Sequence, residues 1–171
     1  MAEDQNKKHK HQIYKYVTKT QILSLTDLLN GDDTKKCKIA VSLIKYDQNT
    51  HKALETLDHY LNPLDAKFIC WEVLTNAFTE YKDYKGSKRD EGHQARILTV
   101  KRDPDKKRGY ILILDQGEGQ PTDQGAVMMK KKESSQWICL SEQDMKKLAL
   151  ALLDYIRAWE IKQMLTKTIE T

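Results

Sequence analysis

The chain has 171 residues and a mass of 19.9 kDa, room for one domain or one fold of two similar halves but not for two large independent domains. At 39% hydrophobic and 32% charged residues, with a net charge of +4, it is polar, yet its apolar residues gather in runs that exclude wholesale disorder. Its longest apolar run, Leu148–Leu153, is 6 residues against the roughly 20 of a bilayer span, and the charged stretch 1–11 has no signal-peptide core; together they place the protein in the cytoplasm.

In chain order, residues 1–11 read as a flexible basic tail, followed by a single domain over 12–165. Strands are expected at 12–17 and 21–25, and a strong one at 38–46. The turn Asp47-Gln48-Asn49-Thr50 leads to 51–61, which reads as a strand although Leu54, Leu57 and Leu61 also fit a short helix. Asn62 and Pro63 then open an amphipathic helix with Ala66, Ile69, Cys70, Val73, Leu74, Ala77 and Phe78 on one face, carried to Gly86. Short β-rich runs at 94–101, 109–115, 126–132 and 136–140 give four more strands, with turns at Asp103-Pro104-Asp105 and Glu133-Ser134-Ser135 and a loop over 116–125. Ser141, three residues before Asp144, caps a helix over about 142–164, its buried stripe formed by Met145, Leu148, Ala149, Leu152, Ile156 and Trp159.

Several chemistries find no support in the motifs. Cys37, Cys70 and Cys139 are odd in number, with no Cys-x-x-Cys and no zinc-spaced histidine, so they read as reduced thiols and no metal site is expected. Gly117-x-Gly119 lacks the third glycine of a dinucleotide loop, His9-x-His11 lies in the tail, and no Ser, His and Asp set suggests nucleophilic catalysis. The expectation is a protein without a cofactor and without an enzymatic step.

The charge is clustered. Between Tyr84 and Arg108 stand nine Lys or Arg against four acids, Lys130-Lys131-Lys132 follows, and residues 7–19 carry five lysines. Such clusters suit a polyphosphate partner, because each phosphate neutralised releases counterions. The chain also repeats: Leu61-Asn62-Pro63-Leu64-Asp65-Ala66-Lys67 aligns with Leu140-Ser141-Glu142-Gln143-Asp144-Met145-Lys146, so that strand end, cap, acid and lysine fall in register. Each half, 12–86 and 94–165, then reads as four strands and a helix.

That doubled ββββα unit, and above all Gln136-Trp137-Ile138-Cys139-Leu140-Ser141-Glu142-Gln143-Asp144 with the helix after it, resembles the Whirly proteins and the positive-cofactor-type transcriptional coactivators. The kinetoplastid mitochondrial RNA-binding proteins and the purine-rich-element-binding proteins share the layout. The Lys-Gly-Lys-Ala-Ala type signature of plant Whirly proteins is absent, which places the chain outside that branch. The resemblance implies an α+β fold of two antiparallel sheets with long helices packed on one side, and a homo-oligomer, dimer or tetramer. It also implies binding of single-stranded DNA or RNA, DNA foremost, with little sequence specificity, in replication, recombination or transcription.

A single-strand binder needs cations for phosphates and aromatic faces for bases. Strand and strand-end residues of those kinds are Tyr14, Lys15, Tyr16, Lys45, Tyr46, Arg96, Lys101, Arg108, Tyr110, Lys130, Lys132 and Trp137. Alternation puts Lys130 and Lys132 on one face and Lys131 on the other, so only part of the set shares a groove. The competing expectation is a protein-interaction or scaffold module that binds no nucleic acid and whose lysines are a hydrated surface.

Overall fold

The computed structural model describes residues 11–30, 37–103 and 109–169. Its strands are β1 (Gln12–Val17), β2 (Gln21–Leu28), β3 (Lys38–Tyr46) and β4 (Ala53–Leu61), followed by helix α1 (Pro63–Leu74). Then come β5 (Glu80–Arg89), β6 (Gly92–Arg102), β7 (Tyr110–Pro121), β8 (Val127–Leu140) and helix α2 (Glu142–Ile169). Each set of four strands forms an antiparallel sheet in sequence order. The α+β class and the strand assignment of 53–61 follow the sequence reading.

Alternation decides which side of each sheet is buried. Register sets Leu23, Leu43 and Leu57 in one row across the first sheet, and Val100, Leu112 and Ile138 in one row across the second, all buried. Both rows join one core with Ala66, Ile69, Cys70 and Val73 of α1 and Met145, Leu148, Ala149, Leu152 and Ile156 of α2. Although α2 follows the second sheet in sequence, it is tied to the first. Tyr155 Oη donates to Asp27 Oδ2 at 2.7 Å, and Trp159 Nε1 donates to Asn30 Oδ1 at 2.8 Å. The two helices are joined by Lys67 Nζ, 2.8 Å from Glu160 Oε2. At the start of α2, Ser141 Oγ accepts from Asp144 N at 3.1 Å, the N-cap its spacing predicts, and donates to Asp144 Oδ2 at 2.7 Å.

Three stretches differ from the sequence reading: β7 continues to Pro121, paired with β8 through most of the expected loop over 116–125, and α1 and β8 also depart from it. Helix α1 ends at Leu74, 12 residues long, and does not reach Gly86. Asn76 takes φ +60°, the left-handed conformation that closes a helix, while the N–H groups of Ala77 and Phe78 both bond Glu72 O and Phe78 is buried just beyond. Gly86 instead lies within β5, where Val127 fills the space a side chain would need: an added Cβ would sit 2.2 Å from Val127 Cβ. Residues 127–140 form one strand, without a turn at Glu133-Ser134-Ser135. Gln116 pairs with Ser134 but Gly117 with Lys132, and Glu118 pairs with Lys131 but Gly119 with Met129, so Glu133 and Lys130 are bulged residues that bend β8 and shift its alternation.

The sheets meet along β4, an edge strand of the first. His59 Nε2 lies 2.9 Å from Asp83 Oδ2, Ser134 Oγ donates to Glu55, and the Arg96 guanidinium sits 5.2 Å from the centre of the Tyr60 ring. Three residues of one strand thus touch three strands of the other sheet.

Candidate nucleic-acid interface

The residues the sequence nominates do not converge on one surface. Tyr14 and Tyr16 lie opposite Leu25 and Leu23 in register, on the helix-facing side of the first sheet, whereas Lys15 between them faces the open side with Ser24. The Tyr14 hydroxyl is 3.5 Å from Asp144 O, and burial, then the Asp144 carboxylate, raise both phenols above their ordinary pKa. Tyr46 donates to Thr18 O at 2.6 Å, and Lys45 is exposed opposite Glu55. Tyr110 is 1% exposed and packs against Phe78 at 5.9 Å between ring centres, so it presents no face to a base. Lys130 binds Glu118 at 2.9 Å and Lys132 binds Asp115 at 2.8 Å, acids of opposite parity on β7, so the bulge at Lys130 undoes the shared face that simple alternation predicts. Lys101 and the half-exposed Trp137 lie on the open side of the second sheet; Arg108 is outside the described residues.

Arg96 alone of the set lies where the two sheets meet. Register places Lys85 opposite Arg96 and Ser87 opposite Gln94, on the side of the second sheet that carries Tyr81, Asp83, Leu98 and Val100 nearer the core. Beyond those apolar rows this side turns polar, and β4 with the start of β3 forms the facing wall. The result is a groove of about 480 Å³ lined by Lys38, Tyr60, Lys85, Gly86, Ser87, Lys88, Gln94 and Arg96, within the roughly 300–1,000 Å³ of small-ligand sites.

Four cations and one aromatic ring line it. Lys38 Nζ donates to Asn62 Oδ1, a neutral partner, and Arg96 Nη2 donates to Ser87 Oγ at 3.3 Å. Among the described residues, no carboxylate lies within 4.0 Å of Lys38, Lys88 or Arg96. Lys85 is 3.1 Å from Asp83 Oδ2, the same oxygen that meets His59. Burial opposes the Asp83 charge, but the hydrogen bonds from His59 and Lys85 outweigh it and hold the carboxyl below the ordinary carboxylate range. His59 is fully buried and its Nδ1 has no hydrogen-bond partner among the described residues. This pair fixes Lys85 at the groove wall. Cations on both walls with a ring between them are what a phosphate-linked chain of unpaired bases needs.

The sequence reading passed over Lys38, Tyr60 and Gln94, and counted Lys85 and Lys88 in the basic cluster without placing them in the site. The available signal was the period-2 run Tyr81, Asp83, Lys85, Ser87, hidden because Gly86 looked like a helix stop. On the open side of the second sheet, Lys82, Thr99, Ile113 and Trp137 form one row and Lys101, Ile111 and Cys139 another, while Val127 folds over Gly86 and Gly119 at one end. Among the described residues no group of three or more His, Cys, Asp and Glu could hold a metal ion, and no helix is long and apolar enough to cross a membrane. No protein-family model, no curated protein and no solved structure matches the chain.

Proposed function

We propose that the protein binds single-stranded nucleic acid, DNA foremost, along the groove between its two sheets, with little sequence specificity and no catalytic step. The observation that carries this reading is the groove itself, where three cations without acidic partners and the fixed Lys85 flank the Tyr60 ring. The order of four strands and a helix, met twice, supports a Whirly-like reading of the fold. The same reading puts the protein in the cytoplasm, in replication, recombination or transcription.

We further read the protein as a homo-oligomer, dimer or tetramer, through its helices. Leu64, Phe68 and Trp71 recur at helical spacing on α1 and are 75%, 60% and 59% exposed, and Leu150, Ile161 and Leu165 are exposed on α2. Large apolar side chains grouped this way favour a second copy of the same face.

The test is fluorescence anisotropy with labelled oligothymidine, matching oligouridine and a duplex at about 50 and 200 mM salt, where phosphate contacts make log affinity fall linearly with log salt. Single strands are expected to bind more tightly than duplex, with a clear salt slope. No binding at low salt rejects the function and favours the scaffold reading; a preference for duplex rejects the groove.

A further inference from the structure

The cations of the groove occupy a short stretch with limits on two sides. Toward the core, the row of Lys85 and Arg96 is followed by that of Asp83 and Leu98, and there His59 of the facing wall meets Asp83 at 2.9 Å. Across the second sheet the lining stops at β6: the rows of Arg96 and Gln94 continue on β7 with Gln116 and Glu118, the latter paired with Lys130. A strand that enters beside the exposed turn 89–92 therefore has the groove's cations ahead of it only as far as Lys85 and Arg96.

The charges point the same way. Lys38, Lys88 and Arg96 have no carboxylate within 4.0 Å among the described residues, so three unpaired cations stand beside Lys85. The Arg96 guanidinium also keeps hydrogen-bonding capacity in reserve: Nη2 makes a long bond of 3.3 Å to Ser87 Oγ, and the buried Nε has no partner among the described residues. At about 480 Å³ the groove is of small-ligand size, room for roughly one or two nucleotides. Each internal phosphate is a diester with a single negative charge, whereas a terminal phosphate carries about 1.5–2 near pH 7 and three accepting oxygens. A terminal phosphate with the diester next to it thus brings about 3 negative charges, which match the three unpaired cations; two diesters bring about 2.

We propose that the groove takes the phosphorylated end of the bound strand, with the terminal phosphate against Lys38, Lys85 and Arg96 and the next diester against Lys88. The inference rests on the single-strand reading above and adds to it the chemical group that the groove holds.

The experiment is a competition at about 50 and 200 mM salt. Unlabelled oligothymidine of one length, carrying a 5′-phosphate, a 3′-phosphate or hydroxyl groups at both ends, or closed into a circle, displaces a labelled oligothymidine from the wild-type protein. A phosphorylated end is expected to tighten binding about tenfold at the lower salt, the worth of one added charge-assisted hydrogen bond, and to steepen the salt slope by about 0.7. A gain from either end upholds the inference and gives the direction of the strand. The circle is expected to bind no better than the hydroxyl-ended strand. Lys38→Ala and, independently, Arg96→Gln are expected to lose most of the tenfold difference, whereas Lys130→Ala, whose ammonium is held by Glu118 outside the groove lining, keeps it. No gain from either phosphate, a full gain retained in both groove variants, or a circle that matches the phosphorylated strand overturns the inference while leaving single-strand binding intact. Failure to bind any single strand at low salt rejects the function itself, and the inference with it.

Discussion

The groove makes a quantitative claim about salt. Lys38, Lys88 and Arg96 face it with no carboxylate within 4.0 Å among the described residues, whereas the Lys85 charge is largely met by Asp83 at 3.1 Å. Three unpaired cations, each releasing about 0.7 counterion per single-strand phosphate, give a slope near 2 in log affinity against log salt. Between about 50 and 200 mM salt that is a loss of roughly 20-fold. Lys88→Ala, and separately Arg96→Gln, should each flatten the slope by about 0.7 and weaken binding most at low salt. Lys130→Ala and Lys132→Ala are the controls: their ammonium groups already sit 2.9 and 2.8 Å from Glu118 and Asp115, so each removal should leave the slope unchanged. Anisotropy titrations of labelled oligothymidine over four or five salt concentrations give each slope directly. Slopes that fall for Lys130 and Lys132 but hold for Lys88 and Arg96 would place the strand on β7 and β8 and refute the groove.

Three further outcomes follow from particular contacts. Tyr60→Leu should cost about 1–3 kcal/mol in affinity at unchanged salt slope, the worth of one base–aromatic stack, whereas Trp137→Ala, on the open side of the second sheet, should cost less; both are read in the same titration. The Asp83 carboxyl is held below its ordinary range, so its contribution to stability is full above the unfolded pKa near 3.9 and disappears as pH falls through the lower folded value. Urea midpoints between about pH 6 and 3 should therefore fall on acidification, and less so in Asp83→Asn, whose amide oxygen still accepts from His59. Phe68→Glu combined with Trp71→Glu, both at exposed positions of α1, should convert a sedimenting oligomer into a species of the chain mass, 19.9 kDa; an unchanged wild-type monomer would remove the helix interface.

Local structure was legible where one short-range rule governs it. β1 and β3 match the alternating runs that announce them, and the cap at Ser141 follows from its spacing to Asp144. The reading failed where two local rules compete. Gly86 obeys the rule for a helix stop, but it stands where Val127 crosses the sheet, and Asn76, ten residues earlier, closes the helix by adopting the left-handed conformation that asparagine tolerates. Glu133-Ser134-Ser135 has the composition of a turn, yet an unpaired Glu133 inside a continuous strand meets the same polar requirement with a bulge.

The groove was illegible for a different reason. Its walls come from chain segments that no period links: Lys38 and Tyr60 from the first sheet, Lys85 to Arg96 from the second. What joins them is β4, whose alternation sends Leu57 and Leu61 into the core and sets the buried His59 ring against Asp83 across the sheet junction. Tyr60, the residue next to His59, must then point to the other side, where Arg96 meets it. The strand that closes the core therefore also fixes the ring and, through Asp83, the Lys85 ammonium. A change at His59 should disturb stability and binding together, because one strand's alternation serves both.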